Sequence, residues 1–131
     1  MNFHHIGIVV TDLDEAVVSL KNTIDIVSTS ETIEDPGILV YVQFLIDSND
    51  ICYELIAPMN ESSPVAKAAH ENRNNLHHLA YVTDNFDFEF SRLRGLGHIP
   101  LGKAQPAVAF QGKRVAFFLT DIHTIFELVE Q

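Results

Sequence analysis

The chain has 131 residues, enough for one domain with a sizeable core, and at 47% hydrophobic and 20% charged it has ordinary globular composition. A formal net charge of −10, with only eight Lys and Arg spread along the chain, argues against the phosphate backbone of nucleic acid as a partner. No apolar run approaches the ~18 residues of a membrane span, no signal-peptide pattern opens the chain, and the single Cys52 cannot form an internal disulfide, so the expected setting is a reducing cytoplasm.

In chain order, "FHHIGIVV" is apolar and β-branched and stops at the polar "TD", which predicts a strand. Asp12, followed three residues later by Glu15, resembles a capping box, and "LDEAVVSLKNTI" has helical apolar spacing. "IVSTSETI" reads as the next strand, ended by the turn "EDPG". "ILVYVQFLI" and "ICYELIA" follow as a hairpin around "DSND". In "APMNESSPVAKAAHENRN", Ser63 can cap and Pro64 can take the first helical position, giving a short linker helix. The order then recurs as the strand "HHLAYV", a helix near residues 86–95, and the strands "HIPLGKA", "RVAFFLT" and "TIFELVE".

The recurrence is a measurable repeat. An offset of 73 residues places His5 on His78, Val42 on Val115, Phe44 on Phe117, Glu54 on Glu127 and Leu55 on Leu128. The chain is a tandem duplication. The expected organisation is a single domain over 1–131, with module one at 1–58, a linker helix at 59–75 and module two at 76–131. Each module is expected to run β-α-β-β-β.

Side chains alternate faces along a strand. Ile6, Ile8 and Val10 make the more continuously apolar face of the first strand, so they are expected against the helix. His5 then points the other way, with Gly7 beside it keeping that face open. The same phase sends His78 and Ala80 inward and gives His4 and His77 a structural place. Glu54 and Glu127 each sit mid-strand between apolar neighbours, where an unpaired carboxylate costs several kcal/mol or changes its pKa. Two such acids at repeat-related positions, each matched by a histidine, need a common partner. A divalent cation on His5, Glu54, His78 and Glu127 supplies it. His98, in "GLGHIP", and His123, at a hairpin tip, are expected in solvent; His70 has no evident chemistry.

These paired units, with "HHIGIVVTDLDEAV", "YELIAPMNESSPVAK", "LHHLAYVTD" and "RVAFFL…FELVE", resemble the vicinal oxygen chelate (glyoxalase/bleomycin resistance/dioxygenase) superfamily over essentially the whole chain. The stretch "ELIAPMNESSPVAK" is similar to methylmalonyl-CoA epimerases in particular, and the chain as a whole resembles methylmalonyl-CoA epimerase and lactoylglutathione-lyase-like proteins. The resemblance implies an α+β fold: tandem βαβββ modules forming an incomplete eight-stranded β-barrel cup with helices outside. It implies His5, Glu54, His78 and Glu127 as ligands of one divalent ion per chain: Zn, Ni, Co, Mn or Mg.

Such a centre can stabilise the enolate of a small carbonyl or acyl-thioester substrate, which is isomerase, epimerase or lyase chemistry. Glu127 and Glu54 are the candidate bases, Glu127 the favoured one, with Tyr41 in reserve. The loop "KAQPAVAFQGK" would set specificity, and Lys103, Lys113 and Arg114 could meet an anionic group. A homodimer would cover exposed sheet edges. Two rival readings are a metal-free protein that sequesters antibiotics and an Fe(II) dioxygenase. Retention of all four ligand types disfavours the first; the carboxylate of Glu54, filling a position that dioxygen needs, disfavours the second.

Overall fold

The period-two pattern of "FHHIGIVV" and the polar residues that end it give strand β1 (Asn2–Val9) and then helix α1 (Leu13–Thr23) in this computed structural model, which describes residues 1–72 and 75–131. Two compact units emerge: residues 5–77, called module one, and residues 1–4 with 78–131, called module two. Both belong to the α+β class, and the described residues contain ten strands and three α-helices.

In module one, Asp12 caps α1, its Oδ1 accepting from the Glu15 amide at 2.9 Å. The chain continues through β2 (Ile26–Thr29), β3 (Ile33–Asp35), β4 (Val40–Asp47) and β5 (Cys52–Pro58) to the short helix α2 (Ala66–Glu71). The strands lie in the order β2, β4, β5, β1, with β1 parallel to β5 and β4 antiparallel to β5. Leu13, Ala16, Val17 and Leu20 recur at helical spacing on one side of α1 and pack with Leu45, Leu55 and Ala57. Leu45 and Leu55 are almost completely buried, each worth about 1.5–3 kcal/mol of transfer free energy. Asp47 fixes the β4–β5 hairpin by accepting from the Asn49 and Ile51 amides at 2.8 and 3.0 Å and from the Tyr53 hydroxyl at 3.1 Å. Burial pushes the Asp47 carboxyl up, but these hydrogen bonds together prevail and hold it below its ordinary value.

Module two runs β6 (Leu76–Thr83), α3 (Phe86–Gly95), β7 (Ile99–Pro100), β8 (Gln105–Pro106), a 3-10 turn (Val108–Phe110), β9 (Arg114–Leu119) and β10 (Ile125–Glu130). The order β6, β10, β9, β7 mirrors that of module one, again with one parallel pair and the rest antiparallel. Phe86, Phe90 and Leu93 of α3 pack against Ala116, Phe118 and Leu128.

The strand expected directly after each helix is in two pieces. Both pieces pair with one neighbour: β2 and β3 with β4, β7 and β8 with β9. Between β2 and β3, the Ser30 hydroxyl accepts from the Phe44 amide at 3.0 Å, so a side chain replaces a backbone rung. Between β7 and β8 the chain turns at Gly102, whose φ of +114° suits glycine.

The linker helix also starts later than its sequence signals suggest. Val65 is the N-cap and lacks a side-chain cap, while Ser63 closes the preceding turn, its carbonyl accepting from the Ala66 amide at 3.1 Å. Residues 73 and 74 of the expected linker lie outside the described residues. No helix among the described residues is long and apolar enough to cross a membrane.

Candidate functional site

Strand register decides which side chains share a face. In module one Phe44 is paired with Glu54 across β4–β5, and Gly7 with Glu54 across β1–β5. Partners in register project to the same side. One face therefore carries His5, Gly7 and Val9 from β1, Glu54 and Ile56 from β5, and Val42 and Phe44 from β4. Ile8, Val10, Tyr41 and Leu45 take the other face, towards α1. Module two repeats the row, with Phe117 paired with Glu127 and Glu127 with Ala80.

His5, two residues before Gly7 on the same face, brings its Nε2 to 3.1 Å from the Glu54 Oε2. His78, two residues before Ala80, brings its Nε2 to 3.2 Å from the Glu127 Oε2. His5 is 0% exposed, Glu54 4%, His78 4% and Glu127 3%, so both pairs are almost wholly withdrawn from bulk water. Cys52, two residues from Glu54 on β5, has its thiol pushed up to about 11, first by burial and then by the Glu54 charge. It stays protonated near neutral pH.

Each module carries a buried His–Glu pair whose side chains could each offer a metal ion one ligand atom, His5 with Glu54 and His78 with Glu127. Two tests of fit are met. Imidazole nitrogens with carboxylate oxygens are a donor set for a first-row divalent ion or Mg²⁺. The donor atoms of each pair, 3.1 and 3.2 Å apart, are close enough for both to reach one ion at ~2.1 Å. The structure places His5 beside Glu54 and His78 beside Glu127, each pair buried.

Other candidates fall elsewhere. Tyr41 lies on the α1 side of β4, lining a cavity of about 310 Å³ with Thr11, Asp12, Asp14 and Thr32. It is thereby removed as a reserve base, because β4 turns it away from the face of Glu54. His4 packs edge-on against Phe110 with ring centroids 5.4 Å apart, a structural contact. Arg114 is not available to an anionic ligand: it bridges Asp87 and Glu130 at 2.8 Å each and lies over the Phe86 ring. Lys113 donates to the Gln131 carbonyl at 2.7 Å. His123 is exposed at its hairpin tip, as expected, but His98 is half-buried rather than solvated. Its Nδ1 is enclosed and takes no hydrogen bond among the described residues.

Two residues that the repeat aligned carried no assigned role. The Phe44 ring meets His5 edge-to-face at 5.7 Å, and the Phe117 ring meets His78 edge-to-face at 5.2 Å. Their shared offset of 73 was the available signal.

Comparison with known proteins agrees with this architecture. Over 116 residues the chain is 29% identical to an ethylmalonyl-CoA/methylmalonyl-CoA epimerase of Cereibacter sphaeroides, covering 87% of this chain and 84% of that protein. The crystal structure of methylmalonyl-CoA epimerase from Mycobacterium tuberculosis superposes with a TM-score of 0.80 at 24% identity, covering 98% of this chain and 87% of that one. A variant of the Streptomyces coelicolor methylmalonyl-CoA epimerase, in complex with 2-nitronate-propionyl-CoA, gives a TM-score of 0.81 at 26% identity, covering 100% and 94%. A family model matches residues 4–117, which takes in His5, Glu54 and His78 and stops short of Glu127. Glu127 rests on the repeat and on its 3.2 Å contact with His78 instead. With most of its length matched, the chain belongs to the Glyoxalase/Bleomycin resistance protein/Dioxygenase superfamily.

Proposed function

We propose that the chain is a metal-dependent epimerase of an alkylmalonyl-CoA-type thioester, with His5, Glu54, His78 and Glu127 as ligands of one divalent ion. The observation that carries the reading is the pair of buried His–Glu contacts at 3.1 and 3.2 Å, one in each module. One pair offers two donors, too few for a closed site; two pairs offer the four that a resident ion needs. The relatives named epimerases support the choice of substrate class.

A divalent cation bound there would act as a Lewis acid, lowering the cost of negative charge on the thioester oxygen. The chain's own residues have to move the proton. In each pair the Glu Oε2 faces the imidazole, so we assign proton transfer to Oε1 of the same carboxylate. Glu127 takes the proton from the carbon between the two carbonyl groups, breaking the C–H bond and leaving its electron pair in an enolate. Glu54, already protonated on Oε1 when the substrate binds, gives that proton to the opposite side of the carbon; the centre is inverted, Glu54 is left as the carboxylate and Glu127 as the acid, ready for the reverse turn. The burial of both carboxylates strengthens their action, because little water competes at the reacting atoms. In this reading the enzyme works in the cytoplasm as a homodimer.

The test is deuterium uptake at the central carbon of methylmalonyl-CoA in deuterated buffer, with Mg, Mn, Co, Ni and Zn supplied in turn. Wild-type protein should exchange that hydrogen with at least one metal. Glu127→Gln, which keeps an oxygen donor but not a useful base, should lose ~10²–10⁴ of the rate. Exchange at the wild-type rate in both Glu127→Gln and Glu54→Gln, with metal still bound, would remove the carboxylates as bases. No exchange by wild-type protein with any metal would remove the epimerase reading itself.

A further inference from the structure

The row that carries each acid contains three residue types in fixed order across three strands. In module one it is Phe44, Glu54 and Gly7; in module two it is Phe117, Glu127 and Ala80. The central acid faces its histidine. The small residue leaves the neighbouring position low, so the imidazole two residues earlier can lean across the row. At the far side of the acid, the aromatic ring meets that same imidazole nearly at right angles, 72° in module one and 79° in module two. A histidine side chain pivots about two bonds, and the carboxylate acts at its Nε2 end. The aromatic ring adds a contact on the imidazole ring itself.

We propose that Phe44 and Phe117 are positioning residues, which hold the His5 and His78 rings in the plane that presents Nε2 to the ion. This rests on the ligand assignment above. Two features separate it from ordinary core packing. Both rings are only half-buried, whereas the fully enclosed aromatic of module two is Phe118, on the opposite face. And the geometry recurs in both modules, on an identical residue type, where neighbouring positions have changed type. An imidazole that swings out of this plane loses the edge-to-face contact and points Nε2 away from the acid. The population of binding-competent rings, and with it metal affinity, therefore depends on the phenylalanines.

The test measures Co(II) binding directly, by the visible absorption of the bound ion, in wild-type protein and in Phe44→Leu, Phe117→Leu and the double variant. Leucine keeps apolar bulk but removes the flat ring. Each single change should weaken Co(II) binding by roughly three- to tenfold, in line with the strength of one aromatic pair. The double change should multiply the two losses, and Phe44→Tyr and Phe117→Tyr, which retain the ring, should restore most of the affinity. Metal-free unfolding midpoints distinguish this from mere loss of packing, which lowers the midpoint without touching Co(II) affinity. Wild-type Co(II) affinity in both leucine variants would overturn the positioning role while leaving the ligand assignment standing. Absence of Co(II) binding in wild-type protein would overturn the ligand assignment and this inference with it.

Discussion

Stripping the protein of metal with a chelator and then titrating a divalent ion back should raise its unfolding midpoint by an amount that can be worked out beforehand. Unfolding entropy is about 2.1 cal/mol/K per residue near the midpoint, and the chain has 131 residues. The product is about 275 cal/mol/K, so one kcal/mol corresponds to about 3.6 °C. An ion that binds only the folded chain, at a free concentration ~100 times its Kd, stabilises by about 2.7 kcal/mol. The expected rise is therefore about 10 °C, read by calorimetry or by circular dichroism. His5 is 0% exposed and Glu127 3%, so their donors lie beyond the reach of casual surface binding. His5→Ala and Glu127→Ala should accordingly lose most of the rise, because each removes a donor that no surface group can replace. His77→Ala, with its side chain on the opposite face of β6, should keep it. An equal rise in the His5 and Glu127 variants would mean that the ion binds elsewhere, and the assignment of the centre would be refuted.

The Arg114 bridge predicts a pH signature: hydrogen bonds from the guanidinium hold the Glu130 carboxyl down to about 2, below its ordinary 4.5. A depressed acid contributes stability that is complete above its unfolded value and lost as pH falls through the folded one. Urea midpoints of wild type and Arg114→Gln should therefore differ most above about pH 4.5 and converge towards pH 2; a gap that stays constant with pH would count against it. Gly7 predicts a steric one: Ala80 holds the repeat-related place, so Gly7→Ala should keep the metal-induced rise. Gly7→Leu should lose it and lower the metal-free midpoint by about 4–11 °C, as overpacking costs about 1–3 kcal/mol; identical metal responses in the two variants would contradict the role of the small residue.

Much of the site was legible because its signals are local or repeated. Asp12 before an apolar-periodic run located α1, and the 73-residue offset matched each histidine to its acid. Alternation along a strand was enough to separate His5 from His4 and His78 from His77. Tyr41 escaped because its face depends on the β4–β5 pairing, which the Asp47 hairpin sets and no single strand reveals. Once Phe44 is known to face Glu54, Tyr41, three residues earlier, has to face α1. The broken strands were hidden for a related reason. Ser30 substitutes its hydroxyl for a backbone rung only because β4 lies beside it. Arg114 read as a spare cation because Asp87, its partner on α3, is distant in sequence and exposed.

The cavity beside Tyr41 turns the duplication into an internal record of divergence. Tyr41 stands 73 residues before Arg114, and Ala57 the same distance before Glu130. On the helix-facing side one copy keeps an electrostatic clasp, and the other has a phenol, a methyl group and empty space. On the opposite side the two copies still spell histidine, acid and phenylalanine alike. At these positions the copies have diverged on the helix-facing surface and kept one chemistry on the other, although Leu55 and Leu128 agree on the first and Gly7 and Ala80 differ on the second. The helix-facing surface of module one is consequently the natural place to graft new interactions, such as Tyr41→Arg with Ala57→Glu, without disturbing the chemistry.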